Sequence, residues 1–115
     1  MKTLTELIQN IDSTGLAWVE AKFLADQLES DEKPFLSSLM NGLAKNSGLS
    51  ETAIKRLAMG CTEYRDYVRN MVTARAEANR CRVKYETAQN SFDAARSEMA
   101  LERSKLEKNI YHEGR

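Results

Sequence analysis

The sequence predicts an all-α protein, an antiparallel helical hairpin or coiled coil with one very long C-terminal helix. Three observations predict it. Proline occurs once and glycine five times in 115 residues, aromatics make up 7%, and the rest is dominated by the vocabulary of helices, Ala, Glu, Arg, Lys, Leu, Met and Ser. Neither Gly nor Pro falls between Cys61 and Glu113. Across that stretch the apolar residues keep a seven-residue repeat, the period of a coiled-coil seam.

The elements follow in chain order as one helical domain over residues 1–115. Met1 to Asp12 place Leu4, Leu7, Ile8 and Ile11 at helical spacing, so residues 1–13 form a short helix or a docked arm. Ser13, Thr14 and Gly15 then predict a break. Residues 16–45 carry Trp18, Val19, Phe23, Leu24, Leu28, Phe35, Leu36, Leu39, Met40 and Leu43, which predicts a first long helix with a broad buried face. Pro34 sits inside it. Ser30 and Asp31 are good N-cap residues, so one helix can end near Glu29 and another start near Glu32. We read instead a single helix kinked at Pro34.

Asn46 to Ser50 is the clearest turn, with Gly48 suited to a helix C-terminus and Ser50 to the next N-cap. A short helix is expected over 51–59. Gly60, Cys61 and Thr62 mark a second break, with Thr62 as cap, and the long helix runs 62–110.

With Met71 at heptad position a, the a positions read Leu57, Tyr64, Met71, Ala78, Tyr85, Phe92, Met99 and Leu106. The d positions read Ala53, Gly60, Tyr67, Ala74, Cys81, Ala88, Ala95 and Glu102. Large residues fill a and small ones mostly fill d, which lets a partner helix approach closely. From Thr62 to Ile110 such a helix measures about 73 Å, against about 35 Å for a compact chain of this size, so an elongated protein is expected. Residues 16–45 fold back over only part of that seam. The remainder, Phe92, Met99, Leu106 and Ile110, is the candidate dimer seam, and a homodimer or larger helical assembly is expected.

Equal numbers of basic and acidic residues, 17 each, give zero net charge, but the sum hides an asymmetry. Residues 1–60 hold 6 basic and 8 acidic side chains, and residues 64–84 alone hold 6 and 2. The e positions read Arg75, Arg82, Gln89, Arg96 and Arg103, a ladder along one edge of the seam. Asp26, Glu29, Asp31 and Glu32 cluster on the expected partner helix, so the first reading of the ladder is internal ion pairing. The second is contact with nucleic-acid phosphates or an acidic protein through Arg75, Arg82, Arg96 and Arg103, assisted by Arg65, Arg69, Arg80 and Lys84. Tyr64, Tyr67 and Tyr85 interleave with this basic stretch as stacking residues would, yet all three occupy seam positions, which favours burial.

Signatures of catalysis are missing from the residue pattern. His112 is the sole histidine, and no Glu-x-x-His pair, Gly-rich phosphate loop or nucleophile elbow is present. Cys61 and Cys81 lie twenty residues apart in expected helix, too far for a disulfide or a zinc site. No enzyme activity, cofactor, metal or small-molecule substrate is therefore expected. No apolar run approaches a membrane span and no signal-peptide order is seen, so a cytoplasmic location is expected.

Glu63-Tyr64-Arg65, Ala76-x-x-Asn79-Arg80, Tyr85 and Phe92-Asp93-Ala94-x-Arg96-Ser97-x-x-Ala100-x-x-Arg103 together resemble a group of small helical proteins of tailed bacteriophages and prophages. The likeness covers about the last 50 residues. Ala25-x-x-Leu28-Glu29 followed by Lys33-Pro34-Phe35-Leu36 is similar in layout to the first helix of that group. Ala95 departs from it, standing where relatives often carry a tryptophan. The resemblance implies an early-region setting near recombination and single-strand-binding functions, in the cytoplasm of a bacterial host. It implies a non-enzymatic accessory protein that binds a phage or host protein in recombination, replication or counter-defence, and it supplies no activity. Direct nucleic-acid binding through the arginine ladder is the alternative.

Overall fold

The computed structural model describes the backbone of residues 2–113 and the side chains of residues 2–109. Three helices occupy the described residues: α1 (Leu4–Ala44), α2 (Glu51–Gly60) and α3 (Thr62–Glu113). α1 and α3 pair antiparallel. The fold is all-α, a helical hairpin with a C-terminal helix of 52 residues.

α1 starts earlier than the residue pattern suggested, and it does not break at Ser13-Thr14-Gly15. Thr3 caps it, its Oγ1 accepting the Glu6 N–H at 3.2 Å. At the expected break, the Thr14 hydroxyl donates back to the Asn10 carbonyl at 2.6 Å and Ser13 Oγ to the same carbonyl at 3.2 Å. Both polar side chains are thus satisfied without leaving the helix. Gly15 serves close approach: a Cβ there would lie 3.1 Å from Cε2 of Tyr85.

α1 also runs through Pro34 as one helix. A proline inside a helix costs about 3 kcal/mol or more, through a lost hydrogen bond and a clash one turn back. Contacts on both sides of it offset that cost. Glu32 accepts a hydrogen bond from Tyr64, and Phe35 stacks on Tyr67 with ring centroids 4.4 Å apart and planes at 15°.

The turn after α1 uses the left-handed region twice, at Asn46 (φ 58°) and Gly48 (φ 65°). Ser50 then caps α2 by accepting the Ala53 N–H at 3.2 Å. The break before α3 falls at Cys61, in extended conformation, within the expected Gly60-Cys61-Thr62 stretch, and Thr62, expected as the cap, is already the first residue of α3. Its carbonyl accepts the Arg65 N–H at 3.1 Å. Glu63 lies in the first turn, and hydrogen bonds from its own backbone N–H and from the Cys61 thiol hold its carboxyl below the usual range.

By internal packing the chain divides into two compact units, Trp18–Arg80 and Met1–Ala17 with Cys81–Arg115. In the first, Ala25, Ala74 and Ala78 form a buried cluster, with Ala21 and Leu28 packed against it. In the second, Leu7, Cys81 and Ala88 are buried. Among the described residues no large side chain is fully buried, because the seam is built mainly from alanine. Cys61 and Cys81 are free thiols. No described helix is long and apolar enough to cross a membrane.

The face that α1 buries is narrower than the broad one expected. Trp18, Ala21, Ala25, Leu28, Glu32, Phe35 and Leu39 are buried or half-buried, at alternating spacings of three and four residues, and Leu36 and Met40 beside the last two are half-buried as well. Val19 (61% exposed), Phe23 (69%) and Leu24 (55%) face away from that seam, as does Leu43. A two-helix contact covers a stripe only two positions wide per heptad, so Val19, Phe23 and Leu24 beside it stay in water.

Candidate interaction surface

In the Trp18–Arg80 unit, the seam is framed by polar contacts from α3 to α1. Tyr64 is buried and its hydroxyl donates to Glu32 Oε1 at 3.0 Å. Burial, and then the Glu32 carboxylate, push its phenol above the ordinary range. Tyr67 donates to the Leu28 carbonyl, and burial followed by the charges of Asp31 and Glu32 raises it too. These tyrosines are structural, as their seam positions implied.

Of the eight basic residues singled out, Arg75 is the one that reaches the acidic cluster of α1. Its Nη2 donates to Asp26 Oδ1 at 2.6 Å and to Glu29 Oε2. Glu29 first and Asp26 second raise the guanidinium above its ordinary range. Asp26 is shared with Lys22, 2.8 Å away, and Lys22 followed by Arg75 lowers its carboxyl. Of the remaining acids, Asp31 accepts from Gln27 and Glu32 from Tyr64.

Among the described residues, Arg75 is the member of the ladder that forms ion pairs with α1. Arg69, Arg80 and Arg82 lie against Asp66, Glu77 and Glu86 of their own helix, at 3.8, 3.1 and 3.8 Å. Arg96 lies over the Phe92 ring, 5.8 Å from its centroid. Arg65, Lys84 and Arg103 form no ion pair among the described residues. The reason is compositional. α1 carries its acidic cluster at positions 26–32, whereas its Met1–Ala17 portion, in the unit that holds Arg82, Arg96 and Arg103, has Glu6 and Asp12 alone.

In the second unit, the α3 seam outlasts the helix that covers it. Phe92 and Ala95 are half-buried, beside the first turn of α1. Met99 is 48% exposed and Leu106 62%, although both keep the heptad register. From Arg96 to Asn109 every residue is exposed. The fourth residue of the candidate dimer seam, Ile110, has a side chain outside the described residues. Two grooves flank the junction. One, of about 500 Å³, is lined by the apolar Leu4, Leu7, Ala94, Ala95 and Met99 together with the charged Lys2, Glu98 and Glu102. The other, of about 310 Å³, lies on the Arg96 and Arg103 side and shares Leu4 and Met99.

Such a surface can hold an apolar helix between two charged edges of opposite sign. Its α3 half is legible in the heptad repeat. Leu4 and Leu7, expected in a separate short helix or docked arm, belong to α1 itself, which the Thr3-x-x-Glu6 cap starts at its first apolar residue. Among the described residues no charged side chain is buried, and no group of three or more His, Cys, Asp or Glu could hold a metal ion. No protein-family model, curated protein or solved structure matches this chain.

Proposed function

We propose that this chain is a non-enzymatic interaction protein that works by docking a helix of another protein against the open end of α3. One observation carries the reading. The seam of α3 keeps its register past the first residue of α1, leaving Met99 and Leu106 exposed between the Glu98 and Arg103 edges. Exposed apolar seam of this kind is paired when a partner helix is present. The resemblance to phage and prophage accessory proteins supports a phage or host protein as that partner, in DNA recombination, replication or counter-defence. The scarcity of titratable constellations supports a binding role over a catalytic one.

Direct nucleic-acid binding is the competing reading. It loses Arg75 to Asp26 and Glu29, and among the described residues Arg65, Lys84, Arg96 and Arg103 are its cations without an ion pair. The two are separated by placing a photo-crosslinking amino acid at Met99, Leu106 or Glu86 in the bacterial host, and by titrating a labelled oligonucleotide at low salt. The expected result is one defined protein adduct from positions 99 and 106, none from 86, and no oligonucleotide binding. Binding that weakens by roughly 0.7 to 0.9 log units per phosphate contact per decade of salt would overturn the proposal.

A further inference from the structure

We infer that the partner helix docked on the open seam is acidic along one edge, lies antiparallel to α3 as α1 does, and meets Arg103 with a pair of carboxylates three residues apart. The inference rests on the reading that this seam is a docking surface, and adds the chemistry of what docks there. The chain itself shows how α3 satisfies an arginine on this edge. Arg75 donates to Asp26 at 2.6 Å and to Glu29, and these acids directly follow Ala25 and Leu28, which α1 packs in the seam. Arg103 follows Arg75 by four heptads, on the same edge of the same helix. It still lines a groove with Leu4 and Met99, so that edge has not turned away from the seam.

At Arg103 the chain supplies no such acids. The groove on this side sets Arg96 and Arg103 among Leu4, Phe92, Met99 and Ala100, two cations and no carboxylate. Arg96 is held over the Phe92 ring, and Arg103 forms no ion pair among the described residues. Because α1 begins at Leu4, the positions that face Arg103 belong to the helix that docks. The groove on the other side is closer to balance, with Lys2 beside Glu98 and Glu102, so the preference for sign comes from Arg103. An acidic helix edge fits these cations better than a phosphate backbone does, since they flank apolar residues that continue a helix-packing seam. Direction follows from the helix dipoles: an antiparallel partner brings its negative C-terminal end toward the positive N-terminal end of α1, whereas a parallel one brings like ends together.

Fluorescence anisotropy of three synthetic peptides of about 21 residues, long enough to hold a helix, tests the inference on the full chain at about 50 mM salt. All repeat apolar residues at alternating spacings of three and four. The first carries Glu directly after each apolar residue, as Asp26 and Glu29 follow Ala25 and Leu28. The second carries Lys there, and the third carries Glu directly before each apolar residue, on the other edge. The first is expected to bind about tenfold more tightly than either of the others. Arg103→Glu should weaken it by about tenfold and make the Lys peptide the tighter one, while Leu106→Glu should abolish binding of all three. Equal binding of the three, or a first peptide indifferent to Arg103→Glu, would overturn the inference; if Leu106→Glu still abolished that binding, the docking reading would stand. A single-stranded oligonucleotide that displaces the first peptide from the wild type, and that Arg103→Glu fails to bind, would overturn it in favour of phosphate contacts. Absence of binding by every peptide would also overturn it, and the crosslinks from Met99 and Leu106 would then decide the docking reading alone.

Discussion

A Cβ on Gly15 would lie 3.1 Å from Cε2 of Tyr85, and Gln89 holds that ring in place by donating to its hydroxyl at 3.0 Å. Gly15 is thus the small residue of a knob-and-hole contact inside a continuous helix. Gly15→Val is expected to destabilise the fold by about 1 to 3 kcal/mol through overpacking. With the ring removed by Tyr85→Ala, Gly15→Ala should instead stabilise by up to about 1 kcal/mol, the helix-propensity difference. A double-mutant cycle on urea midpoints reads the coupling directly.

Ala25 is wholly buried in the cluster with Ala74 and Ala78. Enlarging it forces the two backbones apart along neighbouring layers of the seam. Ala25→Leu is expected to cost about 1 to 3 kcal/mol in chemical denaturation. Phe23→Ala, at a position 69% exposed, should leave the midpoint nearly unchanged although it removes a far larger side chain.

The contrast between Ala25 and Phe23 shows what was legible in the sequence. The long helix was readable because no Gly or Pro interrupts Thr62 to Glu113 and because its seam residues repeat by sevens. The register of α1 was not, because its seam includes Thr14, Glu32 and three small residues, while Val19, Phe23 and Leu24 draw the eye to the opposite side. Hydrophobicity ranks Phe23 above Ala25, but a closely packed helix pair selects for size. Ser13-Thr14-Gly15 misled for the same reason: each residue type favours a break in isolation, and tertiary contact with Tyr85 makes the glycine useful within the helix. The acidic cluster at 26–32 was recognised, yet the reach of the arginine ladder was not, since ion pairing depends on which α1 residues stand nearby and the start of α1 offers few carboxylates.

Alkaline pH should loosen the Trp18–Arg80 unit. Tyr64 and Tyr67 have phenols raised above the ordinary value of 10.0, by burial first and by nearby carboxylates second. Their contribution is complete below that value and is lost as pH rises through the raised one, because the ionised phenol is favoured in the unfolded chain. Melting temperature is expected to fall as pH rises above about 10. The fall should be smaller in the Tyr64→Phe, Tyr67→Phe double variant, which retains the same lysines.

Arg75 separates the structural part of the ladder from the rest. It bridges Asp26 and Glu29 on the facing helix, whereas Arg82 lies near Glu86 of its own. Arg75→Ala is expected to lower the melting temperature, Arg75→Glu to lower it further by opposing the two carboxylates, and Arg82→Ala or Arg103→Ala to leave it unchanged. Asp26 adds a pH dependence of known sign. Lys22 first and Arg75 second lower its carboxyl, so its stabilisation is present above the unfolded value of about 3.8 and is lost as pH falls through the lower folded one. Asp26→Asn should flatten that acid limb, and raised salt should shrink the difference between wild type and Arg75→Ala, because these partly exposed charges are screened. Equal sensitivity of Arg75→Ala and Arg103→Ala in thermal melts would remove the distinction.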